Sequence, residues 1–276
     1  MFGKLLKYDL RSMLKTFALI WGAALVLALV NRVTLSNIDT NQFFGTGRIL
    51  SIVLFVGVLV ATAVLALIFI VQRFYKGLLG EEGYLMFTLP VKSWQLILSK
   101  AVSAVIVLAV SSVVAGVSLC IMASASLWLR GFMTVQIPSM FDDLRQELSL
   151  SGFSFAVVIA ELIVLSLLDS AVGIYQIYAA IALGHLFRKH RVILSFVMYL
   201  LLNSAVSTFS SRFIFLGVNS HAFASFTHWL RMLADGGKGL LAANIVLAGL
   251  FLLIVLQLAV FHLITERILS KRLNLE

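Results

Sequence analysis

Residues 49–72 read ILSIVLFVGVLVATAVLALIFIVQ, a run without one charged side chain. A helix rises about 1.5 Å per residue, so roughly 20 apolar residues cross the hydrocarbon core of a bilayer. This run keeps no polar face to turn toward water, and it is read as a membrane-spanning helix. Working outward, five more segments pass the same test: about Thr16–Leu35, Leu96–Trp128, Phe153–Leu183, Val192–Leu216 and Leu240–Thr265. The whole chain agrees, with 61% hydrophobic and 12% charged residues and a mean hydropathy of +1.07, far from soluble-domain values. The two prolines, Pro90 and Pro138, are both expected in loops, which leaves the spans free to be regular helices. The expected fold is an all-α integral membrane protein with six transmembrane helices over residues 16–276.

Basic residues precede the first span, as they do in a secretory signal. A signal's apolar core is about 7–15 residues long and ends in small residues; here the run is longer and ends in Asn31-Arg32-Val33, so it is read as a retained helix. Residues 1–15 are expected to form an amphipathic helix in the plane of the membrane. Phe2, Leu5, Leu6, Met13 and Leu14 cluster on one side, while Lys4, Lys7, Arg11 and Lys15 step along the other.

Positive charge near the spans sets orientation. Counted loop by loop, one side carries 14 lysines and arginines and the other 7, so both termini are expected in the cytoplasm of a multi-pass protein of the cell membrane. The net charge of +9 is spread over the inner ends of the spans, where anionic headgroups account for it. Nucleic acid is not an expected partner; the lipid bilayer is.

Between the spans, Ser139 followed by Asp142 and Asp143 predicts a helix start in the 130–152 connection, with Phe141, Leu144 and Leu148 as its apolar edge. Residues 217–239 carry Phe223, Phe226, Trp229, Leu230 and Leu233, which predicts a surface-lying or re-entrant pair of short helices broken at Asp235-Gly236-Gly237-Lys238-Gly239. No internal repeat is legible.

Signatures of catalysis are missing. Gly236-Gly237-Lys238-Gly239 lacks the leading glycine and hydroxyl residue of a phosphate loop. His185, His190, His221, His228 and His262 share no metal-ligand spacing with acids or with the lone Cys120, and neither a metal nor a cofactor is expected on this chain. Glu161 and Asp169 are the acids expected within a span. A carboxylate at bilayer depth costs about 2.5–3.5 kcal/mol on the insertion scale. They are candidates for lining a cavity; the competing expectation puts Glu161 near the headgroups and bonds Asp169 through serines such as Ser166 or Ser170. On the third span, Ser112 and Gly116 are spaced for close helix approach, expected to be used within the chain.

The connection after the second span, residues 73–95, has a different character. Glu81 and Glu82 precede Gly83-Tyr84-Leu85-Met86-Phe87, Leu89-Pro90 stops that element, and Ser93 is placed to cap a helix beginning near Trp94. A short amphipathic segment joined stiffly to a spanning helix would tilt that helix when pushed.

Glu82-Gly83-Tyr84-Leu85, followed by Thr88-Leu89-Pro90-Val91-Lys92-Ser93-Trp94 and Ser99-Lys100, together with Phe2-Gly3-Lys4-Leu5-Leu6-Lys7-Tyr8-Asp9-Leu10, resembles the ABC-2-type permease subunits of ATP-binding-cassette transporters. The six-span layout fits over the full length, whereas the motif covers about a tenth of it. Tyr84 stands where many members have threonine, a version resembling the smaller permeases of Gram-positive bacteria. The resemblance implies two permease subunits, identical or sister chains, each with a separate cytosolic ATPase holding the ATP and magnesium. It makes residues 73–95 a coupling helix, with Glu81, Glu82, Gly83, Tyr84, Leu85, Phe87, Leu89, Pro90 and Trp94 at the contact and the N-terminal helix bracing it. It further implies export of a hydrophobic or amphipathic peptide, drug or lipid-like compound. A non-translocating scaffold or sensor subunit, and an ion-coupled secondary transporter using Asp169, are the alternatives.

Overall fold

The computed structural model describes residues 2–36, 43–76, 93–124, 131–147, 151–187 and 191–271, and every regular element among them is helical. Six helices are long and apolar enough to cross a membrane. At most 22% of the most apolar stretch of any of them is buried within the protein. The protein is therefore an all-α, multi-pass membrane protein. It divides into two compact units, Met1–Phe141 and Asp142–Glu276.

The first unit is built on α1 (Phe2–Ser36), which packs against α2 (Phe43–Phe74) and α3 (Ser93–Ala123). One face of α1 carries Asp9, Met13, Phe17, Ala24, Ala28 and Asn31, all buried and spaced three, four or seven residues apart. Phe17 and Met13 lock into Ala66 of α2 and Val107 of α3, and Phe17 meets Phe69 edge-on with ring centroids 5.5 Å apart. Farther along, Ala28 packs with Phe55 and Met122. Trp21 Nε1 donates to Ser111 Oγ at 3.0 Å, across 90 positions of sequence. Contacts of α1 with α3 advance together along both helices, so the two run parallel; those with α2 recede, so it is antiparallel. Ser99, Ser103 and Ser118 are buried on α3 and donate to carbonyls three residues back, which satisfies their hydroxyls without a partner helix.

Two expectations change here. Residues 2–15 do not form an element of their own: they are the first turns of the 35-residue α1. Nothing between Lys15 and Thr16 breaks a helix, and extending one costs far less than starting another. Ser112 and Gly116 are exposed, and a Cβ added to Gly116 would meet nothing within 4 Å, so the close approach expected there is not made among the described residues of this unit. The buried face of α3 instead carries Ala101, Ser103, Ala104 and Val107.

A π-helical turn, Phe132–Gln136, leads into α4 (Ile137–Glu147). This helix starts earlier than Ser139 would place it. Pro138 occupies its first turn, where a missing N–H costs nothing, and Ser139 Oγ donates back to the Gln136 carbonyl instead of capping. Leu148 lies outside the described residues.

The second unit is built on α5 (Gly152–Gly184), capped by Ser151, whose hydroxyl accepts from the Ser154 N–H at 3.3 Å. It packs against α6 (Arg191–Val218) and α8 (Gly239–Lys271). Tyr175 meets His262 of α8 edge-on at 5.3 Å, and Gln176 Nε2 reaches Asn203 Oδ1 of α6 at 3.5 Å. Gly184 passes so close to α6 that a Cβ there would lie 2.2 Å from Ser195 Oγ and 2.6 Å from its Cα. The region 217–239 holds one helix, α7 (His221–Leu233), capped by Ser220, then a π-helical turn Ala234–Lys238. The break falls at Gly237, whose φ of 74° is open to glycine at little cost.

The two units share one arrangement that the sequence does not display. In each, the first span is central, the second packs on it antiparallel, and the third packs on it in parallel.

Candidate functional site: a charged clamp on the first three spans

The buried stripe of α1 begins with an acid. Asp9 lies four residues before Met13 and eight before Phe17, so the face that packs the apolar core also carries a carboxylate inward. Asp9 is 8% exposed. Arg73 arrives from the last turn of α2, where a cation is favoured by the helix carbonyls. Its Nε donates to Asp9 Oδ1 at 3.0 Å, and its Nη2 donates to the same oxygen. Lys100, two turns into α3 and 4% exposed, brings its Nζ to 4.0 Å from that oxygen.

Three consecutive spans are thus tied at one carboxylate oxygen. Desolvating three charges is costly, and geometry and hydrogen bonds must offset it. Asp9, Arg73 and Lys100 form a charged tether between the three spans. Arg73 and Lys100 lie on the two helices that flank residues 77–92, so α1 holds both attachments of that segment.

Of the residues singled out from sequence, Glu81, Glu82, Gly83, Tyr84, Leu85, Phe87, Leu89 and Pro90 lie outside the described residues. Trp94 is in the first turn of α3, which begins at Ser93, and is 38% exposed. Lys7, Arg11 and Lys15 form an exposed stripe, offset by two residues, or about 200°, from Asp9, Met13 and Phe17; the side chain of Lys4 lies outside the described residues. Reading the N-terminus for its basic face found the exposed lysines and missed Asp9. The signal available was its i, i+4 spacing to Met13 and Phe17.

In the second unit Glu161 and Asp169 do not come together at a cavity. Asn244 of α8, with its amide nitrogen turned toward acceptors, donates to Glu161 Oε2 at 3.2 Å and to the Leu240 carbonyl at 3.1 Å. Glu161 therefore links α5 to α8. Asp169 is exposed and makes no hydrogen bond or ion pair among the described residues. The serines beside it bond their own helix, Ser166 to the Ile163 carbonyl and Ser170 to the Ser166 carbonyl, so neither is its partner. Neither acid is in the wall of the cavity of about 470 Å³ in this unit. His221 and His228 are both exposed on α7.

His185 caps the end of α5 through its backbone N–H to Ile181 O at 3.1 Å. Burial, and then the nearby Arg191 guanidinium, hold its imidazole below its ordinary pKa.

Set against protein-family models, curated proteins and solved structures, the chain matches none.

Proposed function

We propose that this chain is the membrane-spanning permease subunit of an ATP-driven transporter of the ABC-2 type, in which a separate cytosolic ATPase pushes on residues 73–95. The observation that carries this reading is the clamp. A force applied to the segment between α2 and α3 enters a structure whose two attachments are fastened to α1 through Asp9, so three spans respond together rather than one loop flexing. A free surface loop has no use for a buried carboxylate with two cations. In this reading Glu81 and Glu82 face basic groups of the ATPase, both termini lie in the cytoplasm, and the protein resides in the cell membrane. Asp169, exposed on a spanning helix and without a partner among the described residues, supports a second permease subunit, because a carboxylate against lipid is costly and a protein surface can solvate it. The apolar character of the spans fits a hydrophobic or amphipathic export substrate.

The test is to co-express the chain with a candidate cytosolic ATPase subunit that co-purifies with it. Glu81→Arg with Glu82→Arg is expected to release the ATPase on purification and abolish ATP-dependent export. Export at the original rate would remove the segment from the mechanism.

One observation favours a second reading, an ion-coupled carrier. The three-helix arrangement common to the two units has the form of an internal repeat, a feature of many secondary transporters. Uptake without ATP that collapses with the proton gradient, and with Asp169→Asn, would select it.

A further inference from the structure

The cavity of the second unit lies where α5, α7 and α8 meet. Val158 and Leu162 of α5, Leu230 of α7, and Ala242, Val246 and Leu247 of α8 give it an apolar wall, and its volume of about 470 Å³ falls in the range of small-molecule sites. Two charged residues line it as well, Arg231 and Asp235. They are four positions apart, across the junction between α7 and the π-helical turn, and both are exposed. Among the described residues neither side chain makes an ion pair or hydrogen bond, with the other or elsewhere.

The surroundings indicate depth. No residue of α7 is buried, and Phe226 and Trp229 stack with ring centroids 6.1 Å apart on its exposed surface. Exposed aromatic pairs beside a charged rim belong at headgroup level. The cavity is therefore apolar below and bears one cation and one anion where lipid headgroups lie.

From this geometry we infer a binding site for an aminophospholipid, with an acyl chain against Val158, Leu162, Val246 and Leu247 and the headgroup between Arg231 and Asp235. A guanidinium matches the phosphate with paired N–H donors. The Asp235 carboxylate accepts from a primary ammonium, which a trimethylated choline cannot offer. A purely anionic headgroup would meet Asp235 with like charge. The charges thus select phosphatidylethanolamine over phosphatidylcholine and phosphatidylglycerol. This site is independent of the ATPase reading and stands or falls separately from it.

The experiment uses the full chain in nanodiscs with equal parts of phosphatidylethanolamine, phosphatidylcholine and phosphatidylglycerol of identical chains, followed by native mass spectrometry of retained lipid. Phosphatidylethanolamine is expected to be enriched about tenfold, the worth of one charge-assisted hydrogen bond. Asp235→Asn should erase its advantage over phosphatidylcholine, Arg231→Gln should lower retention of both, and Val246→Trp should lower retention of all three. Both rim residues are exposed, so unchanged melting of their variants separates loss of binding from loss of fold. A photoactivatable acyl chain should crosslink within residues 158–162 or 242–247. Retention in bulk proportions, preference for phosphatidylglycerol, enrichment that survives both rim substitutions, or crosslinks confined elsewhere would overturn the site.

Discussion

Asp9 and Arg73 stand 64 positions apart in sequence and share a hydrogen-bonded ion pair in which Arg73 Nε lies 3.0 Å from Asp9 Oδ1. Lys100 faces the same oxygen, and at 4% exposure it has little water to fall back on. Removing the carboxylate takes a shared partner from two cations at once instead of deleting one contact.

Asp9→Ala is therefore expected to destabilise the protein by about 3–5 kcal/mol, the cost of breaking a buried pair from one side. Asp9→Ala, Arg73→Ala and the double variant form a cycle read by thermal melting in nanodiscs. A coupling energy of about 0.5–3 kcal/mol is expected for residues in one network; additive losses would show that the pair does not act as a unit.

Gly184→Ala should cost about 1–3 kcal/mol, the usual penalty of overpacking. The new methyl would collide with Ser195 backbone as well as its hydroxyl, and backbone cannot step aside cheaply. Gly173→Ala is the internal control, since a Cβ there meets nothing within 4 Å. Its melting temperature should hold or rise, because alanine favours a helix over glycine.

Stability should fall on acidification through His185. Its folded pKa lies below the ordinary 6.5, owing first to burial and then to Arg191. In the window from 6.5 downward to the folded value, the unfolded chain takes up a proton that the native one resists. Stability from this group is thus full above pH 6.5 and is lost as pH drops. Melting curves from pH 8 to pH 5 should show the decline, and His185→Gln should flatten its share.

At Gly237 the backbone stands at φ 74°, a conformation that costs an L-residue about 1–2 kcal/mol. Gly237→Ala should destabilise the protein by that amount, read as a lower melting temperature, whereas Gly236→Ala, also exposed and with open space at its Cβ, should not.

The apolar runs announced the spans because nothing else in a chain this hydrophobic can cross a bilayer with its backbone satisfied. The fourth, fifth and sixth spanning helices start within one residue of the expected spans and the third within three, whereas α2 begins at Phe43, six residues before Ile49. The first is longer because a helix continues until something stops it, and residues 2–15 hold no stop. Ser139 misled for a related reason: serine caps a helix only when its backbone leaves the helical region, and here it sits inside the first turn.

Composition and apolar run length by themselves determined that this is a six-span helical membrane protein, since both are local properties of the chain. Which polar residues matter is not local. Asp9, Arg73 and Lys100 belong together only because α1 runs parallel to α3 and antiparallel to α2, and Arg231 and Asp235, neighbours in sequence, meet the apolar wall of Val158, Leu162, Val246 and Leu247 only through the packing of the second unit. A charge acquires its partner from helix register and packing, and those are set by side chains far apart in sequence closing on one another.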